Sequence, residues 1–165
     1  MGIFNSILSW VMKKRIHQIE LFLKYPHEVQ QDVFTNLIAT AKNTEFGIEH
    51  GFRDIKTIED YNQRVPVRSY EQHFPYIERT MRGEKNILWP SEIKWFAKSS
   101  GTTNAKSKYI PVTPESMEGC HMKGGKDMIA MYLNNHPDSL MFEGKGLSIG
   151  GSHQSNQFDP SGESS

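Results

Sequence analysis

The residues best equipped for chemistry lie in one short run, Ser99 to Lys108, which reads SSGTTNAKSK. Serine, threonine and glycine leave backbone N–H groups unshielded by large side chains, and Ser99, Ser100, Thr102 and Thr103 add hydroxyl donors. Gly101 lets the chain turn tightly among them. From Ile93 through Pro114 the charged residues are Lys94, Lys98, Lys106 and Lys108, with no aspartate or glutamate, although the whole chain balances 19 Lys+Arg against 19 Asp+Glu. Bare amides, hydroxyls and a local cationic excess make an anion cradle, where a polyphosphate gains charge-assisted hydrogen bonds about twice as strong as neutral ones. The same composition suits an exposed serine and threonine hairpin with lysines as its solvated edge. On these residues alone both readings stand.

The flanking elements must position that run. Ile93 to Lys98 (IKWFAK) and Lys108 to Val112 (KYIPV) are predicted strands on either side of it. Thr113 and Pro114 supply an N-cap and a first-turn proline for a following helix. Met117, Cys120 or His121, Met128, Met131 and Tyr132 predict its buried face, and Gly124 and Gly125 weaken its middle. A loop is expected after Asn134, Asn135 and Pro137, then short strands at Leu140 to Phe142 and Leu147 to Ile149.

Upstream, apolar spacing predicts helices. Phe4, Ile7, Leu8 and Val11 fall at i, i+3, i+4, i+7, and Met12, Ile16, Ile19 and Leu23 continue on a similar face. Tyr25 and Pro26 interrupt the pattern, and Pro26 suits the first turn of a second helix whose apolar positions are Val29, Val33, Leu37 and Ala41, widened by Phe34 and Ile38. Gly47 and Gly51 mark a break, Thr57 to Asp60 and Ser69 to Gln72 each have the capping-box pattern, and Gly83 reads as a stop. The expected organisation is 1–85 mostly helical, 86–151 α/β around the 99–108 loop, and 152–165 a polar tail with Phe158 as its one large apolar residue.

Composition bounds the rest. A chain of 165 residues is about one domain and is long enough for a real core. Its zero formal charge argues against a surface built for nucleic acid. A single cysteine, Cys120, excludes an intramolecular disulfide framework and a cysteine-built zinc site, and fits a reducing cytoplasm. At the amino terminus Lys13, Lys14 and Arg15 follow the apolar run instead of preceding it, the reverse of a secretory signal, and the run is too short to span a bilayer. Met1, Gly2 and Ser6 match the short myristoylation pattern with that basic cluster nearby, which leaves a membrane-peripheral first helix as a minority reading.

Other constellations carry less. No Walker pattern, dinucleotide GxGxxG or HExxH occurs, and the histidines show no metal spacing. Ser91 and Lys94 make an isolated SxxK, and Gly151, Ser152 and His153 lack the flanking glycine of a nucleophile elbow. Cys120 and His121 are adjacent, so on a helix they point about 100° apart and make no nucleophile–base pair; a buried thiol is expected instead.

The stretch SSGTTNAKSKYIPVT closely resembles the first nucleotide motif of the GH3 family, the acyl acid amido synthetases of the adenylate-forming type. The family pattern of SSGT, then Ser or Thr, a lysine near the tenth position and a proline shortly after is met by Ser99, Ser100, Gly101, Thr102, Thr103, Lys108 and Pro111. The phrase TIEDYNQRVPVRSYEQHFPYIERTMRGEKNILWP and the later LSIGGSH are similar to the same family, so the resemblance covers nearly the whole chain. Ala105 departs from it, standing where a glycine is common and lacking glycine's left-handed freedom.

The resemblance implies that a carboxylate attacks the α-phosphate of ATP, giving an acyl adenylate and pyrophosphate, and that an amine or amino acid then forms the amide. Magnesium would accompany the ATP, with no protein metal site implied. Carried over by position, Ser99, Ser100, Thr102 and Thr103 are the donors, Gly101 gives close approach and Lys108 is the charge partner, with Lys106 and Lys98 secondary. Family members are much longer, so the resemblance implies an amino-terminal fragment of one larger α/β domain of the adenylate-forming type, inactive alone, whose unpaired strand edges favour self-association. The alternatives are a non-catalytic nucleotide-binding or interaction module and the membrane-peripheral protein.

Overall fold

The computed structural model describes residues 3–99, 108–139, 141–142, 145 and 147, with side chains described from Val11 onward, Lys13 excepted. They divide into two compact units, 3–27 with 118–147 and 28–117. The described chain is helix-rich with one small antiparallel sheet, a partial α/β arrangement.

In the first unit, helix α1 (Ile3–Lys24) packs on α7 (Lys123–Asn135). Met12, Ile16 and Ile19 are half-buried, as the spacing predicts, but Leu23 is 81% exposed. Helix α7 turns a different face inward from the expected one. Ala130 is fully buried with Asp127, Ile129 and Leu133 beside it, whereas Met128 is 64% exposed and Met131 and Tyr132 are also exposed. A small residue at the contact lets two helix backbones come close, and the bulkier methionines are displaced outward. Arg15 of α1 donates two hydrogen bonds to the Asp127 carboxylate, Nη2 reaching Oδ2 at 2.6 Å. That pair holds the Asp127 pKa below its ordinary value, chiefly through the Arg15 hydrogen bond.

The helix preceding α7 also differs from expectation. Met117–Met122 is π-helical, and the α-helix then continues through Gly124 and Gly125. Cys120 and His121 are both exposed, so the expected buried thiol is corrected. The apolar pattern alone did not register the extra residue per turn, which rotates the face presented. Met141 and Phe142 lie in a turn and Leu147 in no strand; the remaining residues of those two expected strands, Leu140, Ser148 and Ile149, lie outside the described residues.

The second unit is built on α2 (Pro26–Ala41), with Pro26 at its first position. Its packed stripe is buried Ile38 and Ala41 with half-buried Phe34, while Val33 is 53% and Leu37 50% exposed, so the stripe is narrower than the sequence pattern. Ile38 and Ala41 join Phe52 and Ile55 in the core, with Phe46, Tyr61, Val65 and Trp89 against it. Short helix α3 (Glu45–Glu49) starts at Thr44, whose hydroxyl donates to Ala41 O at 2.7 Å and accepts the Gly47 N–H at 3.0 Å. Gly47 lies inside α3 and not at a break: a Cβ there would stand 2.1 Å from Ala41 O, so only glycine lets the two backbones meet. The N–H groups of Glu45 and Phe46 donate to the carbonyls of Asn86 and Ile87, which docks the 86–89 segment on the start of α3.

Helices α4 (Ile58–Arg64) and α5 (Tyr70–Met81) begin with complete capping boxes at Thr57/Asp60 and Ser69/Gln72, as their spacing predicts. Gly83, at φ +88°, follows the end of α5 in the left-handed conformation that suits a stop. Strands β1 (Trp95–Lys98) and β2 (Tyr109–Val112) pair antiparallel, Trp95 opposite Val112 and Lys98 opposite Tyr109. Thr113 then caps α6 (Pro114–Ser116), its hydroxyl accepting the Ser116 N–H at 3.0 Å.

Candidate nucleotide-binding hairpin

The two strands bring the ends of the Ser99–Lys108 run together. Ser99 N–H donates to Lys108 O at 2.9 Å, and Lys108 N–H donates to Ser99 Oγ at 3.2 Å. The expected candidate Ser99 is thus at one foot of the connection and Lys108, exposed, at the other. Ser100, Gly101, Thr102 and Thr103, together with Ala105 and Lys106, lie outside the described residues. Lys98 stands beside this base with its ammonium 6.0 Å from the Tyr109 ring centre.

The outer edge of β2 is held by a residue the sequence reading did not single out. Tyr70, the first residue of α5, accepts the Tyr109 N–H at 2.7 Å and donates its hydroxyl to Tyr109 O at 3.2 Å. Its ring also lies under Lys108, whose Nζ is 5.2 Å from the ring centre. The contact spans 39 residues, and an aromatic at the start of a capped helix has no local signal to distinguish it. Next to it, the Glu71 carboxyl is held below its ordinary pKa by its own backbone N–H, by the Ser69 hydroxyl and, more weakly, by the Lys108 charge.

Beyond the strands, Glu115 accepts from Trp89 Nε1 at 3.2 Å and Ser91 Oγ at 2.9 Å, tying the segment before β1 to the start of α6. Its own backbone N–H, then the Ser91, Trp89 and Thr113 donors, lower its pKa. This also disposes of the SxxK constellation: Ser91 is committed to Glu115, and Lys94 pairs with Glu92 at 3.5 Å.

A second polar cluster joins α3 to α5, also unanticipated. Arg68 donates to Tyr76 Oη at 3.1 Å and to Glu49 Oε1 at 3.3 Å, and its Nη2 lies 3.2 Å from His50 Nε2. His50 Nδ1 meets Phe46 O at 2.9 Å, so Nδ1 is the donor and Nε2 the acceptor for Arg68. Tyr76 donates to Glu49 Oε2 at 2.5 Å. His73 sits edge-on to Phe46 with 5.6 Å between ring centres; burial, then the charges of Arg68 and His50, lowers its pKa. Arg68, Glu49, His50 and Tyr76 each have a hydrogen-bond partner inside the cluster, as expected of a structural network.

Among the described residues no three His, Cys, Asp or Glu side chains gather as a metal site, and no helix is long and apolar enough to cross a membrane. An apolar cleft of about 310 Å³, floored by Ile38 and Phe52 and rimmed by Lys42 and Lys56, contains none of the hairpin residues.

Residues 15–163 match the GH3 family N-terminal domain. An indole-3-acetic acid-amido synthetase of Arabidopsis thaliana, GH3.5, is 26% identical over 117 residues, 70% of this chain and 19% of that protein. A probable indole-3-acetic acid-amido synthetase of rice (Oryza sativa subsp. japonica), GH3.2, is 32% identical over 91 residues, 54% of this chain and 15% of that protein. The jasmonoyl-L-amino acid synthetase GH3.5 of rice is 26% identical over 107 residues, 64% of this chain and 18% of that protein. The chain therefore spans less than a fifth of the length of these relatives. With its hairpin motif and helical lead-in inside a match that runs over most of its length, the chain belongs to the GH3 family.

Proposed function

We propose that this chain supplies the first nucleotide-gripping segment of an ATP-dependent acyl acid amido synthetase. In that reaction a carboxylate oxygen attacks the α-phosphorus of ATP and pyrophosphate leaves; an amine or amino acid nitrogen then attacks the acyl adenylate, releasing AMP and a proton as the amide forms. The observation that carries the reading is the family match, which encloses the SSGTT motif between the paired strands. Relatives named for indole-3-acetic acid and jasmonoyl conjugation point to a carboxylic acid and an amino acid as the substrate classes of the whole protein.

The described feet of the hairpin suit a triphosphate. Lys108 is exposed, and the Ser99 hydroxyl, which accepts from Lys108 N–H, carries a hydrogen of its own that a phosphate oxygen would accept. Magnesium would ride on the phosphates, its usual mode of binding. What these residues contribute is positioning and charge neutralisation, so the segment binds nucleotide and the bond-making belongs to the whole protein.

Titration of the 165-residue chain with ATP and magnesium by calorimetry tests the reading. Binding is expected, weakened about tenfold in Lys108→Ala by loss of a charge-assisted contact and weakened also in Thr102→Ala. Absence of binding to the unmodified chain, or equal affinity in Lys108→Ala, overturns it.

A further inference from the structure

Tyr70 stands where a third strand would. With Lys98 opposite Tyr109 and Ser99 bonded to Lys108, the antiparallel alternation turns the N–H and C=O of Tyr109 away from β1, toward the outer edge. The Tyr70 hydroxyl meets both, one as acceptor at 2.7 Å and one as donor at 3.2 Å. The next residue facing that edge is Pro111, which has no N–H to satisfy. A single phenol therefore completes the edge of β2 where the chain leaves the loop. The same ring carries the Lys108 ammonium on its face, and Tyr70 is itself fixed by the Ser69–Gln72 capping box at the start of α5.

We infer that Tyr70 is a positioning residue for the nucleotide-binding hairpin: its hydroxyl anchors the foot of the loop through Tyr109, and its ring aims Lys108. This rests on the nucleotide reading above for its functional meaning, though not for the anchor itself. Two substitutions separate the parts. Tyr70→Phe keeps the ring and removes the hydroxyl; Tyr70→Leu removes both. Loss of the hydroxyl that meets the outward N–H and C=O of Tyr109 loosens the foot, whereas loss of the ring frees the lysine.

The test combines amide hydrogen exchange and side-chain NMR on the 165-residue chain with ATP–magnesium titration. In Tyr70→Phe the Tyr109 amide is expected to exchange at least tenfold faster while exchange in α4 and α7 stays unchanged. The Lys108 side-chain protons keep their aromatic ring-current shift in Tyr70→Phe and lose it in Tyr70→Leu. The dissociation constant for ATP rises about fivefold in Tyr70→Phe and further in Tyr70→Leu, a graded loss that general destabilisation would not track with the ring-current signal. Unchanged Tyr109 exchange in Tyr70→Phe overturns the anchor. Unaltered ATP affinity in both variants, when the unmodified chain binds, overturns the positioning role. If the unmodified chain binds no ATP, the nucleotide reading falls, and with it the aiming role, while the exchange comparison still decides whether the anchor exists.

Discussion

Replacing Gly47 by alanine sets a local rule against a tertiary one. Inside a helix, alanine is favoured over glycine by about 1 kcal/mol, so propensity alone makes Gly47→Ala stabilising. The packing says otherwise. The new methyl carbon would lie 2.1 Å from Ala41 O, 3.0 Å from Ala41 C and 3.1 Å from Lys42 Cα, all main-chain atoms that no rotamer change can move. Reaching an ordinary separation of about 3.5 Å requires a backbone shift of more than about 1 Å. Ala41 O already takes the Thr44 N–H at 2.9 Å and the Thr44 hydroxyl at 2.7 Å, and buried Thr44 in turn accepts from Gly47. Overpacking costs about 1–3 kcal/mol and the strained hydrogen bonds about 1 kcal/mol each, which outweighs the propensity gain and leaves a net loss of about 2–4 kcal/mol. For a unit of this size that lowers the melting temperature by roughly 10–25 °C. Thermal unfolding followed by far-UV circular dichroism and by tryptophan fluorescence reads it, since Trp89 lies against the core. Gly83→Ala is the control: nothing lies within 4 Å of its Cβ position, so its φ of +88° is the sole penalty, about 1–2 kcal/mol. A Gly47→Ala protein as stable as the parent, or more so, would refute the reasoning.

Three further outcomes are expected. Asp127→Asn weakens the α1–α7 pair by about 1–3 kcal/mol in urea unfolding, since it removes the negative charge from a hydrogen-bonded carboxylate. Because the Asp127 pKa is lowered in the folded state, that contribution is complete above the ordinary value of 3.8 and disappears as pH falls through the depressed folded value; Asp127→Asn should flatten this acid limb. His73 has its pKa lowered from 6.5, so its folded state favours the neutral ring. Stability from it is present above pH 6.5 and declines as acidification protonates the unfolded chain first, and His73→Phe should remove that slope from unfolding midpoints measured across this range. Thr57→Ala deletes the α4 cap hydroxyl that accepts from Asp60 N–H at 3.1 Å and should cost about 1 kcal/mol by the same unfolding measurement.

What the amino-acid order determined by itself is the set of features closed within a few residues. The capping boxes at Thr57 and Ser69, the Pro26 and Pro114 helix starts, the Gly83 stop and the two strands flanking Ser99–Lys108 all follow from i, i+3 hydrogen bonds and fixed backbone preferences. The family motif is local in the same sense. Tertiary structure decided which apolar side chains are covered, because a helix with several candidate stripes buries the one its partner fits: Ala130 inward and Met128 outward on α7, Ile38 inward and Leu37 outward on α2. It also placed Gly47 against Ala41, Arg68 among Glu49, His50 and Tyr76, and Tyr70 beneath Lys108. Those contacts depend on the path of the intervening chain, and a pattern of neighbouring residues encodes only the elements, not the way they meet.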